Sequence, residues 1–320
     1  MKKVLITGAA GFLGRRLLRS LAAVGSLAGK QGEDVPIGRV CLADIVPAEP
    51  PPNLPFACKT LVGDLADPDY VDRLAAWGPD TVFHLASSLT LQAERDPDAA
   101  YRVNVEALRQ LIGTLRHRPR LVFTSSIAVF GGALPDAVGD GHQQAPTTTY
   151  GTHKALNELL ILDGSRHGKI DGRSLRLPIV VTRPGTAQPS VSDKIAAIIR
   201  EPLSGVDTVV PLRPETPVPL VSAGTAATAL IRTHDVAEAK LPDKRAFNLP
   251  ALTIQAQDVA ETVRRCGATG KIRFKPDKDM QRIVEGWPAH FVSQAAVRLG
   301  VRSDSDVYAL VADYLENRDV

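Results

Sequence analysis

The chain has 320 residues, 44% hydrophobic and 23% charged, enough for one large α/β domain and a smaller lobe. Its formal net charge of +3 is small, and basic residues interleave with acidic ones, which excludes the basic stripe of a nucleic-acid-binding surface. No run reaches the ~18 apolar residues of a membrane span, so no membrane association is expected.

Met1-Lys2-Lys3 before apolar residues imitates an export signal, but only Val4, Leu5 and Ile6 follow before glycines begin. The stretch reads as a buried strand over Lys3–Thr7, and a cytoplasmic protein is expected. Thr7-Gly8-Ala9-Ala10-Gly11-Phe12-Leu13-Gly14 then opens a predicted helix over Phe12–Val24. A pyrophosphate needs close backbone N–H groups and gains from the positive end of a helix dipole. In that reading Gly8 makes the turn, Gly11 allows close approach and Gly14 lets helix and strand pack.

Gly25–Gly38 is polar and glycine-rich and is expected to be an exposed loop. A strand over Val40–Ala43 ends at Asp44, where a carboxylate can bind both adenosine ribose hydroxyls and repel a 2′-phosphate, selecting NAD over NADP. Arg15 and Arg16, in the first turns of the helix, are expected to face solvent. A third strand, Ala57–Val62, closes on Gly63-Asp64-Leu65; Asp64 either reaches the adenine amino group or caps the following helix.

Helices follow over Asp69–Trp77, Asp98–Arg116 and Tyr150–His167, with strands over Thr81–Leu85, Leu121–Thr124 and Leu175–Thr182. The strands are apolar without alternation, as in a parallel sheet covered on both faces. The expected fold is therefore α/β, a Rossmann doubly wound parallel sheet over residues 1–184. A smaller substrate-binding lobe over 185–320 completes it, with the chain returning to the sheet once. Prolines crowd the stretch from Pro184 to Pro219, and helices are expected over Asp258–Cys266 and Val307–Leu315. Cys41, Cys58 and Cys266 are widely spaced, match no metal-ligand pattern and read as reduced thiols; no metal is expected.

Tyr150 and Lys154 fall one helical turn apart on one face. A phenol titrates near 10, so it is a poor base at neutral pH, and a neighbouring ammonium stabilises the phenolate. Lys154 can also bind the nicotinamide ribose. Thr124-Ser125-Ser126 ends a strand at the carboxyl edge of the sheet, where a serine hydroxyl can orient a substrate hydroxyl beside Tyr150. Asn104 is unfavourable inside a helix and is a candidate anchor for a water carrying protons from Lys154. Arg183 at the end of the sixth strand is a candidate for a substrate carboxylate, or for a structural ion pair.

Thr7–Gly14, Asp44, Gly63-Asp64, His84-Leu85-Ala86, Asn104, the Ser-Ser strand end and Tyr-x-x-x-Lys together resemble an extended short-chain dehydrogenase/reductase, of the NAD-dependent epimerase/dehydratase superfamily. The resemblance implies Ser126 as catalytic serine, with Ser125 the fallback, beside Tyr150, Lys154 and Asn104. It implies NAD bound along Gly8, Gly11, Phe12, Leu13, Gly14, Asp44, Asp64, Leu65, Leu85, Ala86, Ser87, Tyr150, Lys154 and Pro178. A homodimer is implied through the helices carrying Asn104 and Tyr150.

Phe130-Gly131-Gly132, Gly172–Pro178, Arg183-Pro184-Gly185, Ile199–Leu203, Phe247–Pro250 and Arg282–Pro288 resemble, within that superfamily, NAD-dependent dehydrogenases that oxidise the 2-hydroxyl of a small sugar acid. The chain departs from that group at Ser88–Gln92 and Thr186–Gln188, both expected to line the substrate pocket, with Ser88, Ser126 and Arg183 as substrate contacts. A nucleotide-sugar epimerase is the alternative, opposed by Phe130 where Tyr is usual and by the lack of Asn at Gly185 or Thr186. A non-catalytic regulator is opposed by the presence of both Tyr150 and Lys154.

Overall fold

In β1 (Lys2–Thr7) the buried side chains of Val4 and Ile6 enter one apolar cluster and that of Leu5 enters another. A strand that is apolar on both faces requires cover on both. A computed structural model, which describes residues 1–181 and 191–317, supplies it.

After β1 come α1 (Phe12–Val24), β2 (Ser26–Ala28), β3 (Asp34–Asp44), β4 (Ala57–Val62), α2 (Pro68–Ala76) and β5 (Thr81–His84). Next are α3 (Thr90–Arg95), α4 (Pro97–Tyr101), a π-helical turn (Arg102–Glu106) and α5 (Ala107–Thr114). Then follow β6 (Arg120–Ser126), β7 (Ala137–Val138), α6 (Thr149–Arg166), β8 (Asp171–Leu177) and β9 (Ile179–Val181). Beyond residue 190 lie α7 (Val191–Leu203), β10 (Thr208–Val210), β11 (Pro217–Ser222), α8 (Ala223–Asp235), β12 (Ala246–Asn248) and β13 (Leu252–Gln255). The chain ends in α9 (Ala256–Arg265), β14 (Ile272–Phe274), α10 (Lys278–Glu285), β15 (His290–Phe291), α11 (Gln294–Leu299) and α12 (Val307–Asn317).

The main sheet has the order β12-β8-β6-β5-β1-β3, with β4 on the far side of β3. Its ladders are parallel, and α1 and α8 cover one face while α2, α5 and α6 cover the other. This is a doubly wound Rossmann-type sheet. From β1 the chain moves outward to β3 and β4, then crosses back to β5. Between β1 and β5 the direction of winding reverses, so a crevice opens beyond their carboxyl ends, where Thr7 pairs in register with His84.

Three expectations change. Gly25–Gly38 is not an exposed loop: β2 pairs antiparallel with the start of β3, and Leu27 and Ile37 are buried in the core. The strand signal is hidden there because the hairpin offers only isolated apolar residues among polar ones. The segment expected as one strand from Leu175 is broken at Pro178, which has no N–H to donate. Upstream of it β8 pairs with β6; downstream β9 pairs with β11 in a separate sheet of order β13-β11-β9. The chain therefore leaves the main sheet at Pro178, and α8 and β12 bring it back. The helix expected over Asp98–Arg116 is two helices joined by the π turn. Thr182 and the expected boundary at Pro184 lie outside the described residues.

A separate apolar cluster packs Ile127, Phe130, Ile195, Leu220, Val259 and Leu310 together. Phe130 and Phe291 meet edge to face in it, with ring centres 6.1 Å apart.

Candidate active site

The glycine loop lies at the mouth of the crevice. Gly8 has a φ of 72°, and a Cβ there would fall 2.7 Å from Ala86 N; at Gly14 it would fall 2.4 Å from the Gly8 carbonyl oxygen. A methyl group at either place displaces backbone. Gly11, the N-cap of α1, has no side-chain cap, and the first turn, with Phe12 and Leu13, carries no acidic residue. Its N–H groups are left for an anion, which suits a dinucleotide pyrophosphate.

Asp44 closes the end of β3 beside this loop. One carboxylate oxygen accepts from Ala10 N at 2.9 Å, and the other is held only loosely, 3.4 Å from Val46 N. The side chain thus braces the loop and leaves its other oxygen only weakly engaged. Asp64 is exposed and accepts from Ala66 N at 2.8 Å, whereas Asp67 caps α2 by accepting from Asp69 N. The capping role that competed for Asp64 therefore belongs to Asp67. Leu65 beside it packs partly against the core. Arg16 is not turned to solvent: it pairs with Asp313 at 2.5 Å and donates to Asn317, both on α12. Arg15 donates through Nε to the Ala10 carbonyl at 2.9 Å.

Deeper in, a cavity of about 250 Å³ gathers Leu13, Leu85, Ser87, Ser126, Tyr150, Lys154 and Pro178. Ser126 caps the short turn Ile127–Val129, accepting from Ala128 N at 3.1 Å. The Ser125 hydroxyl donates to Glu158 at 2.5 Å. Both serines line the cavity, and Ser126 is the one whose hydroxyl meets Tyr150. α6 brings Tyr150 and Lys154 to the same wall, and Gly151 lets it come close: a Cβ there would fall 2.1 Å from the Ala128 carbonyl oxygen. Lys154 donates to the Thr124 carbonyl at 2.8 Å and lies 4.6 Å above the Phe123 ring and 5.3 Å from the Tyr150 ring.

Burial governs the acid–base state of this pair. It pushes the Tyr150 phenol up to about 12, against a smaller lowering by the Ser126 hydroxyl. Lys154 is brought down to about 7 for the same reason. The expected lowering of the phenol by the Lys154 ammonium is not what sets its value here: burial raises it, and the Ser126 hydroxyl is the smaller opposing influence. His84, on β5, is likewise lowered to about 3 by burial and by Lys154.

Asn104 differs from its expected role. Its side-chain oxygen accepts from Ser88 N at 2.7 Å and Ser87 Oγ at 3.1 Å, and its nitrogen serves Ser88 O at 3.1 Å and His153 Nδ1 at 3.3 Å. The side chain is thus turned to the main chain of Ser88 and to His153, with the single Ser87 hydroxyl proton shared between Asn104 Oδ1 and Ser88 O. Ser88 is held by these bonds and does not line the cavity; Leu89 and Thr90 do. Arg183, with Thr186–Gln188, lies outside the described residues. Residues not foreseen also line the cavity, among them Thr124, Ser192, Asp193 and Trp287. Trp287 sits in the Arg282–Pro288 stretch, but nothing in its local pattern marks it as facing a site.

Residues 4–241 match the family model described as NAD dependent epimerase/dehydratase family. The chain is 40% identical to D-erythronate dehydrogenase of Cupriavidus necator, with 98% of each chain covered. It is 33% identical to the enzyme of that name from Haemophilus influenzae, covering 98% of this chain and 99% of that one. The crystal structure of a protein named as the nucleoside-diphosphate-sugar epimerase from Agrobacterium tumefaciens superposes with a TM-score of 0.91 at 34% identity, covering 99% of this chain and 94% of that one. The glycine cradle, the Ser126–Tyr150–Lys154 wall and the match over most of its length agree: the chain belongs to the NAD dependent epimerase/dehydratase family.

Proposed function

We propose that the protein is a dehydrogenase that oxidises the 2-hydroxyl of a small, D-erythronate-like sugar acid to the 2-oxo acid, with NAD as cofactor. The observation that carries this reading is the cavity in which Ser126, Tyr150 and Lys154 converge beside Leu13 and Pro178. The 40% identity to a D-erythronate dehydrogenase supports the choice of substrate class.

In this mechanism Ser126 orients the substrate hydroxyl toward Tyr150, and the Tyr150 phenolate accepts its proton. Lys154 holds the ribose and stabilises the phenolate. NAD, when bound, supplies the acceptor for the carbinol hydrogen and its electron pair. Gly8, Gly11 and Gly14 hold the pyrophosphate, and Asp44 the adenosine ribose, in preference to a 2′-phosphate. Asp64, Leu65, Leu85, Ala86 and Ser87 complete the cofactor contacts, and Arg183 takes the substrate carboxylate. The protein acts as a homodimer through the helical segment that carries Asn104 and through α6, which exposes Leu156 and Leu159. Among the described residues no helix is long and apolar enough to cross a membrane.

A second reading, nucleotide-sugar epimerisation, is favoured by the likeness to the Agrobacterium protein, which bears the name of a nucleoside-diphosphate-sugar epimerase. One assay separates the two. Four- to six-carbon aldonic acids and nucleotide sugars are each incubated with protein and NAD, following NADH absorbance and product by chromatography. NADH formation with an aldonic acid supports the dehydrogenase; isomerised nucleotide sugar without NADH overturns it.

A further inference from the structure

We propose that Asn104 and His153 are positioning residues that set the substrate-facing segment Ser87–Thr90, and through it the affinity for substrate. The proposal rests on the dehydrogenase reading above for its kinetic consequence, and on geometry alone for its structural one.

Asn104 is 3% exposed and sits in the π-helical turn between α4 and α5, an irregularity that often marks functional sites. Ser88 fixes the sense of its amide, because the Ser88 N–H can only donate and the Ser88 carbonyl can only accept. Oδ1 must therefore face Ser88 N, and Nδ2 must face Ser88 O. Ser87 Oγ shares its proton between Oδ1 and Ser88 O, and the bond from Nδ2 to Ser88 O leaves one Nδ2 hydrogen. That hydrogen points to His153 Nδ1, which has to be the unprotonated ring nitrogen to receive it.

His153 is thus the acceptor that completes the bracket. It is 5% exposed, lies within the Tyr150–Lys154 turn of α6, and is held edge-on to the Tyr101 ring at 5.6 Å. The Asn104 carbonyl is fixed separately, accepting from Asn157 Nδ2 at 2.7 Å. Two residues of the catalytic helix therefore grip Asn104, and Asn104 grips the main chain of Ser88. On either side of Ser88, Ser87, Leu89 and Thr90 line the cavity. The adenosine end of the cofactor, at Asp44 and the glycine loop, is outside this chain of contacts. Ser87 is the one residue of the segment also assigned to the cofactor, whose remaining contacts are held by other elements, so loss of the bracket should weaken substrate more than NAD.

The test uses the full-length protein with the substitutions Asn104→Asp, His153→Leu and His153→Gln. Aspartate keeps the acceptor and loses both donors. Leucine at 153 removes the acceptor, and glutamine restores one through its amide oxygen. Substrate and NAD KM are measured for each, together with amide hydrogen exchange of a peptide spanning 86–90 in cofactor-free protein. Expected are an increase of about tenfold or more in sugar-acid KM for Asn104→Asp and His153→Leu, an NAD KM within about threefold, and faster exchange of the peptide. His153→Gln should remain near the unmodified protein in all three. Exchange that is unchanged in Asn104→Asp and His153→Leu, or equal rises in both KM values, overturns the proposal. If Asn104→Asp does not fold, the contrast of leucine with glutamine at 153 decides it. If the unmodified protein oxidises no sugar acid, the functional reading fails and the exchange arm still judges the bracket.

Discussion

The ammonium nitrogen of Lys154 lies 5.3 Å from the centre of the Tyr150 ring while donating to the Thr124 carbonyl at 2.8 Å. The lysine thereby ties α6 to the end of β6, one helical turn from the phenol. Burial holds the phenol at about 12 and the ammonium at about 7 in the cofactor-free protein. The phenolate is scarce at neutral pH, and below the phenol pKa its fraction grows about tenfold with each unit by which pH rises. Initial oxidation rates at low substrate should therefore climb from neutrality into the alkaline range. A flat profile would mean that another group takes the proton, whereas a fall above pH 8 would mean that loss of the Lys154 ammonium outweighs the gain in phenolate.

Tyr150→Phe removes the proton acceptor and leaves the ring, its contact with Lys154 and the fold. A fall of about 10²–10⁴ in kcat is expected, with NAD binding, read by cofactor fluorescence titration, within a few-fold. Near-normal turnover would remove Tyr150 from the mechanism. The companion Ser126→Ala should cost less, since it orients the substrate without taking its proton.

Beneath the cavity, the buried Glu158 carboxylate on α6 receives Arg176 through Nε at 2.8 Å and Nη2 at 2.7 Å, as well as Ser125 and Gln144. Arg176 is 2% exposed, so removing its partner strands a buried charge. Glu158→Ala is expected to lower stability by about 3–5 kcal/mol, measured by urea unfolding. A loss under 1 kcal/mol would mean that water or the Asp140 carbonyl, which accepts from Arg176 at 3.1 Å, takes over the charge.

What the sequence disclosed follows from how local each signal is. The glycine loop, the end of β3 at Asp44 and the Tyr150–Lys154 turn are short patterns fixed by backbone geometry. The turn, strand end and helix that carry them form where the sequence puts them. Trp287 and Asp193 reach the cavity from α10's end and from α7, through tertiary packing that no spacing in the sequence encodes. Asn104 carried a signal, an amide inside a helix, but its partners, Ser88 and His153, lie 16 and 49 positions away. The break at Pro178 was visible as a residue; that it sends the chain into a second sheet depends on β11, far downstream.

Acid should weaken the amino-terminal edge of the sheet through His234. Its Nδ1 lies 2.8 Å from Asp235 Oδ1 and its Nε2 3.0 Å from Thr81 Oγ1, and the ring is fully buried. Burial, with Arg120 and Arg173 nearby, lowers it from 6.5 to about 4. The folded value is below the unfolded one, so the unfolded chain takes up the proton first. Stability is complete above about pH 6.5 and is lost as pH falls toward 4, by about 3 kcal/mol for this residue. His84 adds a loss of the same sign. His234→Gln should shrink, without abolishing, the fall in urea midpoint over that window. An unchanged fall would mean that the carboxylates, Asp235 among them, account for all of it.

Cofactor choice tests the upper end of the crevice. A 2′-phosphate within about 4 Å of the Asp44 carboxylate meets a repulsion of roughly 1–4 kcal/mol in a partly solvated site. That is about one to three decades of preference for NAD. Asp44→Ala does not isolate this effect, because Asp44 also accepts from Ala10 N at 2.9 Å and its loss loosens the glycine loop for both cofactors. Asp44→Asn keeps an acceptor for that bond and removes the charge. The ratio of kcat/KM for NAD to that for NADP should fall at least tenfold in the asparagine variant. Absolute NADP activity should rise little, since Arg16 is committed to Asp313 and Asn317 and Arg15 to the Ala10 carbonyl. Adding Asp313→Ala frees Arg16 and should raise NADP activity further. Equal use of the two cofactors by the unmodified protein would show that the free Asp44 oxygen does not face the ribose.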